Sequence, residues 1–312
     1  MTLTILKPGP LTTVQDLGRD GYAAFGVPRG GGCDALSLRL ANLVAGNDEG
    51  AAALEVTLGG LKLRFDDATT FVYTGAAMNV TLDGVLLSPA HRYAAGAGAV
   101  LRFAYAERGA RAYLALAGGI AVAPVLGSRS TGLLAGMGGF FGRALRSGDT
   151  LDCLPAEPRA PGVAVAQLER GEHLRVLPGP DWPLLDHAAQ RQLLATPWQV
   201  SPASNRMGMR LAGSVVEIGA APSLDSHAVM PGCVQLPESG QPIVLLADAQ
   251  TTGGYLRALV VIRADLWRAG QFKPGDTLRF AEVDTAAALA ALDAQQHWLV
   301  RIRRALSWWG TT

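Results

Sequence analysis

The chain is written in short apolar runs, each closed by glycine, aspartate or proline. Leu61–Phe65, Thr70–Tyr73 and Val100–Tyr105 are three examples, all of strand length and all bounded by residues that turn a chain. Glycine and proline together supply 56 of the 312 residues, enough punctuation for many turns and few long helices. In Leu61-Lys-Leu-Arg-Phe65 the alternation points Lys62 and Arg64 away from an apolar face. Pro274-Gly275 suits the centre of a type II turn, with Asp276–Phe280 leaving as the next strand. Three helices are expected. Asp34 caps one that carries Leu36, Leu40, Leu43 and Val44 on one face and stops at Gly46. Asp181 starts a second through Leu194, and Asp284 or Thr285 a third from Ala286 to about Leu306. The fold class predicted is mainly β, with two closed or nearly closed barrels and a few peripheral helices, because closure removes exposed strand edges.

A chain of this length exceeds one ordinary core, so two domains are expected. Two landmarks recur. Lys7-Pro-Gly-Pro10 and Leu177-Pro-Gly-Pro180 each follow a short apolar run, and Gly148-Asp-Thr-Leu151 is matched by Gly275-Asp-Thr-Leu278. They suggest a diverged duplication: an N-terminal barrel over 1–154, a proline-rich linker over 155–172, and a C-terminal barrel with its helix over 173–312.

Composition excludes several functions. A net charge of +1 with 17% charged residues gives no electrostatic case for nucleic acid or an anionic membrane. No uncharged apolar run approaches the roughly 20 residues that span a bilayer. The N-terminus meets Pro8 before a signal-peptide core could form. Cys33, Cys153 and Cys233 are odd in number and far apart, which fits buried thiols in a reduced, cytoplasmic compartment. Only Lys7, Lys62 and Lys273 occur, none in a Walker-type loop and none in a context for a Schiff base. Phosphate or carboxylate would fall to arginine and backbone amides. The five histidines show no metal spacing, so no metal site is expected. Gly136-Met-Gly-Gly-Phe-Phe-Gly142 lacks the spacing and the leading strand of a dinucleotide loop. Trp308 and Trp309 could pack on a partner or on the barrel.

One window, Pro231 to Tyr255, mixes a buried strand, Ile243–Leu246, with Gln235, Gln241, Asp248, Gln250, Thr251, Thr252 and Tyr255. Unpaired buried polar groups cost roughly 1–3 kcal/mol each, so such a cluster is either an internal network or a surface that receives a ligand. Gly253-Gly254 favours the ligand, since glycine lets backbone come close to it. Asn205 and Arg206 stand beside a glycine in Ser204-Asn-Arg-Met-Gly208, as a carboxylate clamp or as a surface turn. Gln15, Asp16 and Arg19 share a turn tightened by Gly18 and Gly21, secondary candidates whose plainer reading is an Asx turn. His227 could serve acid–base work, although a single loop histidine is more often structural.

Thr13-Val-Gln-Asp-Leu-Gly-Arg19, Leu40-Ala-Asn-Leu43 with Gly46-Asn47, Leu54-Glu-Val-Thr-Leu-Gly59, Ser204-Asn-Arg-Met-Gly208, Pro231-Gly-Cys-Val-Gln235, Gly240-Gln-Pro-Ile-Val-Leu245 and Gln250-Thr-Thr-Gly-Gly-Tyr255 occur in this order. Together they resemble the biotin-dependent carboxyltransferase family, also called allophanate hydrolase subunit 2. The resemblance implies two cyclophilin-like β-barrel subdomains. Its 5-oxoprolinase branch implies a C subunit that is inactive alone and that joins B and A subunits to open 5-oxo-L-proline to L-glutamate with ATP and Mg²⁺. The other branches imply a carboxyltransferase of urea carboxylase type, or a non-catalytic antagonist of a histidine-kinase inhibitor. A chain ending soon after the second barrel, with no Met-Lys-Met for biotin attachment, favours the first. On that branch Arg206 becomes the carboxylate or phosphate clamp, and Asn205 and Gln235 become amide partners. Gln250, Thr251, Thr252 and Tyr255 line the substrate, and Asp248 serves as base or metal-orienting carboxylate.

Overall fold

The computed structural model describes residues 1–156, 159–218 and 224–309, the side chains of 308 and 309 excepted. Trp308 and Trp309, as packing residues, therefore lie outside the described side chains. The chain divides into two compact units. The first contains Met1–Arg19, Gly30–Glu169 and His297–Thr312; the second contains Asp20–Arg29 and Arg170–Gln296.

Among the described residues, the first unit holds eleven strands in two sheets. One runs in the order Thr150–Asp152, Thr2–Pro8, Leu61–Phe65, Val100–Phe103, Val80–Leu82, Val85–Leu87. The other runs Leu11–Gln15, Ala53–Thr57, Arg108–Leu116, Thr69–Ala77, Arg92–Ala95. The strand Leu61–Phe65 alternates as expected, with Leu61, Leu63 and Phe65 buried and Lys62 and Arg64 exposed. Arg108–Leu116 is buried on both faces, and its sequence shows why. Ala112, Leu114 and Leu116 enter the main core, while Tyr113 and Ala115 join a second apolar layer on the other face. Leu38, Leu40, Ala41, Val44 and Ala45 build that layer from the helix Ala35–Ala45, and Trp298, Ile302 and Leu306 of the C-terminal helix pack against it. Asp34 caps the first helix by accepting from Ser37 N at 2.8 Å, and Gly46 ends it at φ 86°. The proline-rich stretch is tied to this unit as well. Arg92 N donates to Val163 O, Arg92 Nη1 to Ala160 O, and Gly75 N to Gln167 Oε1.

The second unit closes as a seven-stranded barrel, ordered His173–Pro178, Leu256–Val261, Cys233–Leu236, Ile243–Leu245, Gly208–Ala212, Trp198–Val200, Thr277–Glu282. Trp198, Val234, Val244 and Leu259 are among the side chains that fill it. A separate ribbon of two-residue strands pairs His227–Ala228 with Thr252–Gly253. The helix expected from Asp181 starts later. Asp186 caps His187–Ala195 by accepting from Ala189 N at 2.8 Å. Asp181 instead precedes a single 3-10 turn, with its carboxylate committed to Arg257. The C-terminal helix spans Thr285–Trp309, with Asp284 accepting from Ala287 N at 2.7 Å.

Each repeated phrase leads into a strand beside the first strand of its own unit, antiparallel in the first unit and parallel in the second. Leu151 pairs antiparallel with Leu3 of the first strand. Leu278 pairs with Trp198, and its strand lies parallel to the first strand of the barrel. The two copies also share local turn chemistry. Gly148 and Gly275 both stand at φ 89°, and Asp149 and Asp276 each accept from the backbone N–H three residues earlier, Arg146 and Lys273. Short-range turn rules are enough to write the same four residues twice.

Candidate functional site

The window singled out in the sequence folds against one wall of the barrel. Cys233–Leu236 pairs with Leu256–Val261, and the register slips between Val234 and Gln235. Such an irregularity re-aims a side chain. All four residues of Cys233–Leu236 are buried, although simple alternation would expose two of them. Gln235 is only 1% exposed, and its Nε2 has no hydrogen-bond partner among the described residues. A Cβ on Gly253 would stand 2.8 Å from Gln235 Nε2 and 3.6 Å from Gln250 Nε2. Any side chain at 253 would therefore collide with the Gln235 amide, which fills the place a side chain would take there.

His227 sits directly opposite Gly253 in the small ribbon. Its Nδ1 lies 3.0 Å from Asp225 O, while its Nε2 is buried and unpartnered among the described residues. A carbonyl oxygen only accepts, so Nδ1 carries the hydrogen, and in the neutral ring Nε2 presents a lone pair. Arg257, in register with Gln235, is gripped by Asp181. Arg257 Nε donates to Asp181 Oδ2 at 2.8 Å, Nη2 to Oδ1 at 3.0 Å, and the Arg257 backbone N to Oδ2 at 2.9 Å. The Arg257 guanidinium holds the Asp181 carboxyl below the usual carboxylate range. Burial pushes the adjacent Cys233 thiol up to about 11.

The other expected residues lie around this wall in different states. Arg206 and Asp248 meet fork to fork, Nε to Oδ2 at 2.8 Å and Nη2 to Oδ1 at 2.9 Å, with 3% and 7% exposure. The pair ties the Ser204–Gly208 turn to the loop after Ile243–Leu245, and Asp248 N donates to Arg206 O. Asn205 Oδ1 accepts from Met207 N at 2.8 Å and Gly208 N at 3.3 Å, as an Asx turn does. Thr251 O accepts from Val229 N, and Thr252 pairs with Ala228. Tyr255, half exposed, lines a separate hollow of about 720 Å³ with Ser201, Arg210, Glu238 and Gln241.

In the first unit, Gln15, Asp16 and Arg19 join residues over a hundred positions away. The buried Asp16 carboxylate accepts from Gly18 N (2.8 Å), Ser128 Oγ (2.7 Å), Arg129 N (2.5 Å) and Ser130 Oγ (2.5 Å). Arg19 Nη2 donates to Ser130 O at 2.6 Å, and Gln15 Nε2 reaches Thr13 Oγ1 and Thr131 O. The glycine-rich stretch lies against this hub. A Cβ on Gly139 would collide with Thr131 Oγ1, and one on Gly138 with Ser130 O.

A further buried network escaped the sequence reading. Tyr113 Oη donates to Glu55 Oε2 at 2.7 Å and accepts from Asp34 N at 2.7 Å, while Cys33 N donates to the same Glu55 oxygen at 2.9 Å. Burial, then the Glu55 carboxylate, pushes the Tyr113 hydroxyl well up. The available signal was Glu55 itself, a carboxylate inside the strand phrase Leu54-Glu-Val. Among the described residues no three His, Cys, Asp or Glu side chains converge as metal ligands. No described helix is long and apolar enough to cross a membrane.

Comparison with known proteins gives this geometry a context. Residues 25–282 match the family described as carboxyltransferase domain, subdomain A and B. The chain is 41% identical over 307 residues to the C subunit of 5-oxoprolinase from Escherichia coli K12, covering 96% of this chain and 97% of that one. It is 36% identical over 302 residues to the corresponding 5-oxoprolinase protein of Haemophilus influenzae, covering 97% and 98%. Among solved structures, the K. lactis urea amidolyase superposes with a TM-score of 0.88 at 30% identity; the match covers 96% of this chain and a fifth, 20%, of that much longer one.

Proposed function

Because this chain belongs to the carboxyltransferase-domain family of subdomains A and B, we propose that it serves as the C subunit of an ATP-dependent 5-oxoprolinase. In this role it acts in the cytoplasm with B and A subunits to open 5-oxo-L-proline to L-glutamate. The observation that carries the reading is the end-to-end match to two proteins of that name, at 41% and 36% identity. A 0.88 TM-score to urea amidolyase supports a second reading, biotin-dependent carboxyl transfer to urea, with the biotin on another chain.

Opening a lactam requires the ring to be held, its carbonyl made a better electrophile and charge on the carbonyl oxygen stabilised. ATP with Mg²⁺ would supply the activation: transfer of its terminal phosphoryl group to that oxygen would release ADP, and water added at the same carbon would then free the ring nitrogen as the amine and the phosphate as leaving group. The described residues of this chain offer neither a phosphate loop nor a cluster of three metal-ligating side chains, so we assign that step to the assembled complex. This chain's share is binding and orientation. Gln235 and Gln250 present amide groups beside Gly253, and the turn through Thr251 and Thr252 frames them. Asp248 and Arg206 act as a charge-paired strut that positions the loop leading into that turn. Tyr255 and the Gln15–Asp16–Arg19 hub stand outside this group, the first on its own hollow and the second as a brace for the first unit.

The test is reconstitution. The chain is mixed with A and B subunits, 5-oxoproline and Mg·ATP, and glutamate is assayed. Glutamate that forms only when all three subunits are present is the expected result. No glutamate from the full complement, with carboxylation of urea in the presence of a biotinylated carrier, would establish the second reading instead.

A further inference from the structure

We infer that His227 and Gln235 form a receptor for one edge of a ring amide, the edge on which N–H and C=O lie side by side. The inference deepens the 5-oxoprolinase reading and rests on it.

The starting point is a pair of orphaned atoms of opposite sense. Among the described residues, Gln235 Nε2 is a buried donor with nothing to donate to, and His227 Nε2, an acceptor when the ring is neutral and Nδ1 carries the hydrogen, has no hydrogen-bond partner. Groups of this kind cost roughly 1–3 kcal/mol each when left unsatisfied, and few survive in folded proteins without a reason. Both belong to the same spot. His227 is the cross-strand neighbour of Gly253, and Gln235 Nε2 occupies the place where a side chain at 253 would begin. Cross-strand neighbours project to the same face of a β pair. The imidazole and the carboxamide therefore approach one another over a residue that has no side chain to separate them.

The senses of the two atoms restrict the ligand. A group that satisfies both must donate to His227 Nε2 and accept from Gln235 Nε2. An open-chain peptide bond is trans and points its N–H and C=O in opposite directions. A five-membered lactam is forced cis and carries both on one edge. Its N–H would donate to the imidazole while its carbonyl oxygen accepts from the carboxamide. That second bond also falls on the oxygen where charge builds as the ring opens.

Leu224 O lies 3.5 Å from where a Cβ on Gly254 would be, so the chain leading into the ribbon passes beside the glycine pair. It is held there by a ribbon of two residues per strand and by Val229 N donating to Thr251 O. A ribbon this small opens far more easily than the barrel beneath it.

The experiment measures inhibition of glutamate formation by the reconstituted complex. The inhibitors are N-methyl-5-oxoproline, which lacks the N–H, and the corresponding γ-lactone carboxylate, which keeps the carbonyl but replaces N–H by oxygen. Each is expected to bind about tenfold or more weakly than 5-oxoproline itself, one good hydrogen bond's worth. In His227→Phe the penalty should disappear, because nothing remains to sense the N–H. In Gln235→Glu, where a carboxylate replaces the donor, the lactam and both analogues should weaken together. Should a variant fail to fold, the wild-type His227 Nε2 resonance in ¹⁵N NMR serves in its place. It should move on adding 5-oxoproline and stay still with the lactone. Equal binding of lactam, lactone and N-methyl lactam by a complex that makes glutamate would overturn the receptor and leave the proposed function standing. A complex that makes no glutamate and binds urea in place of 5-oxoproline would overturn both.

Discussion

The two units each bury a polar cluster beside a strand, and the clusters are built to opposite rules. Around Asp16 the carboxylate takes four donors, and Arg19 and the Gln15 amide nitrogen are bonded to the same Ser128–Thr131 stretch. Gln15 Oε1 is left over there. Around Gly253 the Gln235 amide stands where a side chain at 253 would be, and neither its Nε2 nor that of His227 is bonded to a described residue. A network built around a carboxylate with four donors fixes a fold even with one amide oxygen to spare, whereas one that leaves a donor and an acceptor together unpaired is poised for something from outside. Polarity alone does not separate the two. Hydrogen-bond accounting does.

The comparison breaks most readily at Asp16. Asp16→Ala would strand two serine hydroxyls and two backbone N–H groups in the interior, and should cost about 3–5 kcal/mol in urea unfolding. A loss below about 1 kcal/mol would mean that the hub is dispensable. Arg206→Met should destabilise by a similar or slightly smaller amount, since it leaves Asp248 charged and buried. The double variant Arg206→Met/Asp248→Leu should recover much of that loss, because the uncompensated charge is gone. Turnover of the folded Asp248→Asn complex sharpens the assignment further. A fall of about 10²-fold or more at unchanged stability would make Asp248 a chemical participant, and a parallel fall in stability would make it the strut described above.

Gln235→Leu should behave in the opposite way to Asp16→Ala. It removes an orphaned donor, so stability should change by less than about 1 kcal/mol or rise, while lactam binding weakens. A loss of several kcal/mol would show that the carboxamide has a structural partner. Acid titration gives a smaller effect, shared by both units. Asp149 and Asp181 have folded carboxyl values below the unfolded 3.8, held down mainly by Arg143 and Arg257 respectively. Their contribution is complete above about pH 4 and is lost as pH falls through the depressed folded values. Asp149→Asn and Asp181→Asn should each flatten that limb of a stability–pH curve.

Much of the scaffold was legible in the residues. The alternation of Leu61–Phe65, the Asp34 and Gly46 helix ends and the Pro274-Gly275 turn are local patterns, and the local backbone follows them. The Asp16 hub was visible only as a turn, because its serine partners stand 112 and 114 residues away. Glu55 went unread because its donor, the Tyr113 hydroxyl, stands 58 residues on. His227 looked solitary because its significance comes from Gly253, which lies opposite it in the ribbon. The duplicated Gly-Asp-Thr-Leu shows the converse. It is a local turn rule, and nothing in four residues says which strand the turn serves.

The membership of the two units has a consequence for synthesis. The helix layer of the first unit is closed by Trp298, Ile302 and Leu306, yet nearly everything else in that unit precedes Arg170. At roughly 5–20 residues per second, a ribosome takes on the order of 10 s to travel from one point to the other. Through that interval the apolar face formed by Leu38, Ala41 and Val44 lacks part of its cover. The nascent first unit is thus an incomplete fold in waiting, and a helix translated long afterwards finishes the work that the first helix began.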